Sequence, residues 1–242
     1  MKYLLCGLCL LSLSSMQASA AEAAAVTEKK HWDGEAGLGY VATTGNTETS
    51  TFAAKLDATH EKEKWRNNLA ANMLYTKSSG TKTAEKYFLS GQSNYQYATH
   101  MSLFARGSYE DDRFNGFEYQ GTATAGLGYR LLEGIATMTL DFEGGGGIKA
   151  YQEEGQNSET EGIVRVAGKY AWDFREKSKF TQELSSEFGK SFDVYKSVSS
   201  LSAQLVGNFA INLGYTIKYT TEVPLGKEKK DTETTINLVY VF

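Results

Sequence analysis

Along most of the chain, apolar and polar residues alternate with a period of two. Over residues 119–131 one face carries Tyr119, Gly121, Ala123, Ala125, Leu127, Tyr129 and Leu131, and the other Gln120, Thr122, Thr124, Gly126, Gly128 and Arg130. Successive side chains of a strand point to opposite faces, so this stretch is a strand with one greasy and one polar side. The pattern recurs upstream, from Ala36-Leu38-Tyr40 and Phe52-Ala54-Leu56-Ala58 to Met101-Leu103-Ala105 with Tyr109. Downstream it runs through Ala136-Met138-Leu140-Phe142 to Leu213-Tyr215-Ile217-Tyr219 and Ile236-Leu238-Tyr240-Phe242. Twelve such segments can be drawn, most of them as long as a tilted strand needs to cross a bilayer.

A secreted sandwich also alternates, so two further features separate it from a membrane barrel. Aromatic residues stand at both ends of the apolar faces, as Trp65 and Tyr75 or Tyr119 and Tyr129 do, and amphipathic rings belong at the two membrane interfaces. The connections also alternate in length. Longer ones are expected at 77–84, 111–117, 151–159, 189–195 and 224–230, and tight turns at 61–64, 98–100, 132–134, 175–178 and 210–212. With both termini periplasmic, every tight turn falls on the periplasmic side. Lipid offers no partner to an open sheet edge, so the sheet must close on itself. The expected fold is all-β: a closed antiparallel up-and-down transmembrane β-barrel of about 12 strands over 32–242.

The N-terminus adds an address. Lys2, an apolar core over 4–13 and the small-x-small site Ala18-Ser19-Ala20 predict a signal peptide over 1–20, cleaved after Ala20. A short flexible leader over 21–31 precedes the first strand. Both cysteines, Cys6 and Cys9, lie in the segment to be removed, which excludes disulfides and thiolate chemistry from the mature barrel. The sequence holds 25 basic and 29 acidic side chains, a net charge of −4, which predicts no affinity for nucleic acid. No apolar run after the leader is long enough for a spanning helix.

Several short pieces carry a family resemblance. Gly37-Leu38-Gly39-Tyr40 is followed by Thr44-Gly45-Asn46-Thr47 and Thr51, and further on come Asp112-Arg113-Phe114 and Gly126-Leu127-Gly128-Tyr129-Arg130. The last strand runs from Asp231-Thr232-Glu233 to Tyr240-Val241-Phe242. Together they resemble a domain-of-unknown-function family of salt-induced outer-membrane β-barrel proteins. The resemblance implies an outer-membrane location and, by name, a link to salt stress, but no activity. Tyr240 and terminal Phe242 also resemble the C-terminal signal that the barrel-assembly machinery reads. Outer-membrane lipid and lipopolysaccharide are the other expected partners, and a monomer is the expected state.

Candidate chemistry is sparse. His100-Met101-Ser102 mimics a His-x-Ser arrangement of outer-membrane lipases, which needs the imidazole to activate the hydroxyl. The strand reading puts both residues on the lumen side of a periplasmic turn, away from the outer leaflet, and a turn histidine is the better explanation. His31 and His60 have no neighbours at a metal-site spacing. No cofactor, metal or catalytic residue is expected, and the chain is not read as an enzyme.

The polar faces are more informative. Eight bases and nine acids fall on lumen-facing positions, and the candidate lumen-lining set is Arg66, Arg106, Arg130, Arg165, Lys169, Asp141, Glu143 and Glu183. Charges inside a narrow barrel must pair or meet water. The leading expectation is a narrow channel for small polar solutes or ions, with weak ion selectivity because the charges nearly balance. A closed structural barrel with an ion-paired lumen is the first alternative, and a lipid-modifying enzyme the second.

Overall fold

The computed structural model describes residues 32–43, 49–112, 115–132 and 135–242. The signal peptide, the leader, the Thr44-Gly45-Asn46-Thr47 turn and the Arg113-Phe114 pair lie outside the described residues. Twelve strands follow one another: β1 (Trp32–Thr43), β2 (Thr49–Lys62), β3 (Trp65–Ser78), β4 (Thr81–Gln96), β5 (Met101–Asp112) and β6 (Phe117–Arg130), then β7 (Met138–Glu153), β8 (Glu159–Arg175), β9 (Ser178–Phe188), β10 (Val194–Val206), β11 (Phe209–Thr220) and β12 (Lys230–Val241). Each pairs with its sequence neighbours, and β12 closes onto β1. Carrying the pairing register around the wall displaces a β1 residue by about 16 positions, which for twelve strands gives a tilt of about 45° and a backbone radius of about 12 Å. Inward side chains therefore have room for a bore only where they are short.

The alternation places large apolar residues outside. Leu38, Leu89, Leu127, Val164, Leu184 and Ile236 are all at least half exposed. In water a continuous surface of this kind would aggregate; it is the surface of a chain that meets lipid on its outside. Two aromatic girdles bound it. Near the chain termini Trp65 meets Tyr95 (5.0 Å between rings), Trp172 meets Phe174 (5.4 Å) and Phe209 meets Tyr240 (5.5 Å). At the opposite, loop end Tyr109 stacks on Tyr119 (6.1 Å) and Tyr195 lies between Phe188 (6.0 Å) and Tyr219 (6.3 Å).

The closing seam is short, pairing Glu35–Leu38 with Leu238–Val241. Phe242 continues it: its N–H donates to Gly34 O (3.0 Å) and its carbonyl accepts from Gly34 N–H (3.3 Å). Its ring covers Gly34, where a Cβ would come within 2.8 Å of it. The glycine run from Gly144 to Gly147 alternates as the strand reading expects, with Gly144 and Gly146 outside and Gly145 and Gly147 inside. Only the inner pair is sterically required. A side chain on either would strike the backbone of the facing β6 strand, whereas one on Gly144 would meet open space.

Three connections differ from the sequence reading. The long loop expected at 77–84 is the tight turn Ser79-Gly80, whose two positive φ values (49° and 78°) match the twist of a hairpin. The turn expected at 210–212 is Gly207-Asn208, and residues 210–212 belong to β11. The short turn expected at 132–134 is part of a longer connection over 131–137. In the first two cases residues read as connection belong to the strands, and in the third Leu131 and Ala136, read as strand, belong to the connection.

The exterior is not uniformly apolar either. Gln182 on β9 donates to Ser197 Oγ (3.0 Å) and accepts from Ser199 Oγ (2.6 Å) on β10. These residues share the outward face with Leu184 and Leu201, so the lipid face carries a hydrogen-bonded polar cluster between β9 and β10.

Candidate functional site: the barrel lumen

All eight candidate lumen residues fall on the inner face, but they do not form one site. Arg66, Arg130 and Asp141 meet near the terminal end. Arg130 holds Asp141 through two N–H donors (2.7 and 3.2 Å), and Arg66, 44% exposed, approaches Asp141 from β3 at 3.9 Å. Lys169 is exposed to the same space. Inward positions of the same half carry the short Ser102, Gly128, Ser200 and Ser202, together with Phe104, Asn212, Asn237 and Val239, which are buried.

A belt crosses the lumen at mid-height. Glu143 on β7 accepts from Gln92 Nε2 (2.5 Å) and Asn94 Nδ2 (3.3 Å), both on β4, and from Arg165 Nη1 (3.4 Å) on β8. Arg165, only 4% exposed at its side chain, also faces Glu187 (3.8 Å) and Glu183 (4.0 Å). Arg106 joins the belt through one contact, Nη1 to Gln92 Oε1 at 3.4 Å.

Above the belt the lumen is bridged from wall to opposite wall. Lys218 on β11 donates to Glu110 on β5 at 2.5 Å, six strands away on either route, with side chains 7% and 9% exposed. Lys196 on β10 reaches the ring of Phe88 on β4, again diametrically opposite, at 4.3 Å from its centroid. Lys86 stands beside them, 3.9 Å from both Asp112 and Glu233.

The mouth is closed from above by segments outside the wall. Phe192, in the loop between β9 and β10, turns inward and is buried against Phe117, Tyr151 and Val194. Its carbonyl accepts from Lys149 Nζ (2.9 Å), which also pairs with Glu161 (2.9 Å) and lies under the Phe192 ring (3.4 Å). Glu161 in turn accepts from the N–H groups of Lys190 (2.9 Å) and Ser191 (2.8 Å), fixing the loop. Across the mouth, Gly116 approaches Pro224 and Lys227 so closely that a Cβ there would come within 3.0 Å of both.

Three of the residues that close the lumen, Glu110, Lys149 and Lys196, were missed in the sequence. The signal was present: Glu110 follows outward Tyr109, Lys149 follows Ile148 and Lys196 follows Tyr195, so each falls on the inner face by the period of two. His100 and Ser102 diverge instead of sharing the lumen side. His100 is exposed in its turn with its ring 6.0 Å from outward-facing Tyr129, while the Ser102 hydroxyl points inward against Gly128. Among the described residues no group of three or more His, Cys, Asp or Glu has the geometry of a metal site.

Comparison with known proteins fits this architecture. A family model matches residues 36–242. The chain belongs to the family described as protein of unknown function DUF481. One relative in that range, the uncharacterized protein YdiY of Escherichia coli (strain K12), is 30% identical over 213 residues, covering 88% of this chain and 84% of its own. Among solved structures, the NanC porin aligns over 86% of this chain and 98% of its own with a TM-score of 0.51 at 9% identity. The KdgM porin aligns over 87% and 99% with a TM-score of 0.45 at 10% identity. The first of these likenesses is one of fold.

Proposed function

We propose that the chain is an outer-membrane barrel acting as a narrow channel for small polar solutes or ions, held closed at its loop end. The observation that carries this is the nature of the closure. At the terminal end the Arg66, Arg130 and Asp141 side chains stay between about a quarter and a half exposed, and the loop half is shut partly by Phe192 and the 221–229 loop, which are not part of the wall. A purely structural interior would be cheaper to build from apolar residues, because burying ion pairs seldom adds stability. A porin built on the same fold makes conduction compatible with the architecture. On this reading Tyr240 and Phe242 serve the barrel-assembly machinery, lipid and lipopolysaccharide surround a monomer, and no enzymatic step is needed. The salt-stress role implied by the family resemblance belongs to the same proposal; growth at high NaCl of a strain lacking the chain checks it.

Single-channel recording of the purified barrel in planar bilayers tests the proposal. Stable conductance steps, altered in ion selectivity by Arg130→Glu, are expected. A second reading, the closed structural barrel, is favoured by one specific feature, the buried Glu110–Lys218 bridge across the full lumen. Silence from a barrel shown to be folded would put that reading first.

A further inference from the structure

Counting lumen charges predicts little ion preference, but pairing redistributes them. Several lumen carboxylates have a close partner, while at mid-height Glu143, Glu183 and Glu187 converge on the one Arg165 guanidinium. Glu35 takes Lys55 (2.5 Å), Asp57 takes Asn68 Nδ2 (3.1 Å), Asp141 takes Arg130 (2.7 Å), and Glu143 takes three donors. The cations are not equally served. Among the described residues Arg106 makes no ion pair, and of its five N–H donors one is engaged, at 3.4 Å, by a neutral amide oxygen. Lys196 makes no ion pair either; its ammonium rests on the Phe88 ring at 4.3 Å. Both stand where side chains cross the bore, Arg106 in the Gln92–Glu143–Arg165 belt and Lys196 in the constriction above it. A solute passing Arg106 meets unsatisfied N–H donors, beside three carboxylates that share the Arg165 guanidinium. Those free donors offer an anion new hydrogen bonds.

We infer that the lumen is selective for small oxyanions, which bind the Arg106 guanidinium at the belt and pass on to Lys196. The inference rests on the channel reading for transport but not for binding. A planar guanidinium with a free edge fits carboxylate and phosphate alike, two oxygens against two N–H groups. Lys196, a rotatable point charge, suits transfer better than recognition.

The test has two arms, both on the purified full barrel. In the first, the reversal potential is read under a KCl gradient, with acetate and inorganic phosphate added in turn as blockers. A chloride preference that falls to near unity in Arg106→Gln, inverts in Arg106→Glu and weakens in Lys196→Gln is expected. Block by acetate alone would identify carboxylates as the class, and block by phosphate alone would identify phosphates. A conducting barrel that prefers cations, or one whose preference ignores Arg106→Gln, overturns the inference and leaves the channel reading intact. In the second arm, thermal unfolding is followed with rising sulfate. Stabilisation present in the wild type and lost in Arg106→Gln supports the anion site even in a barrel that does not conduct. Silence in the bilayer together with no sulfate effect overturns both.

Discussion

The two ends of the lumen use the same kinds of residue to opposite effect. At the loop end Glu110 and Lys218 meet at 2.5 Å with less than a tenth of either side chain exposed, and loops lie over them. At the terminal end Arg66 pairs with Glu61 (3.2 Å) and Asp141 (3.9 Å) while 44% of its side chain is exposed. Composition does not separate them; reach and cover do. Where long side chains from opposite walls meet under a loop, water is excluded and each charge depends on its partner. Where the side chains stay between about a quarter and a half exposed, as at Arg66, Arg130 and Asp141, solvent competes for each charge and the pairs are optional. A buried pair adds little net stability, yet removing one member strands the other.

The sharpest way to break the comparison is therefore at the loop end. Glu110→Gln leaves the Lys218 ammonium buried without its counter-charge and is expected to cost about 3–5 kcal/mol. The urea midpoint of the refolded barrel reads this, and Glu110→Gln combined with Lys218→Met should recover most of it. An unchanged midpoint in the single variant would mean that water already reaches this pair. Phe192→Ala comes next, removing the centre of the mouth's aromatic cluster at a cost of about 3 kcal/mol, the lower end for such truncations because the loop can relax. It should also raise the frequency of conducting steps. A variant that is destabilised but conducts no differently would make Phe192 a packing residue and remove the loop from the closure.

Much of the fold was legible because a barrel wall has only one variable per position, inside or outside. The period of two therefore gave the strands, the girdles and the inward set. Turn positions were less legible, since Ser79-Gly80 and Gly207-Asn208 close hairpins inside stretches that read equally well as loop or strand. The assembly of the lumen was not legible at all. Which cation meets which acid depends on the stagger of about 16 residues around the wall, which brings β5 opposite β11 at one height. No local pattern in the sequence encodes that stagger, so eight bases and nine acids looked like a balance, whereas the structure leaves Arg106 without an ion pair and adds Lys196, which the count had missed.

The smallest effect is the most discriminating, and it belongs to Arg66. Its two carboxylate partners lie at 3.2 and 3.9 Å, distances that on paper rival the loop-end pairs. Half-exposed side chains, however, have their charges hydrated in either state and screened by salt, so Arg66→Gln is expected to shift stability by less than about 0.5 kcal/mol. The same urea midpoint measures it, at low salt and again at high salt, where even that small difference should fade. Arg66 does stand at the open end of the bore, so its removal should still change the current at low salt. A cost comparable with Glu110→Gln would show instead that the terminal end is as dry as the loop end. The lumen would then be one continuous ion-paired core, and the closed structural barrel would be the better description of the whole molecule.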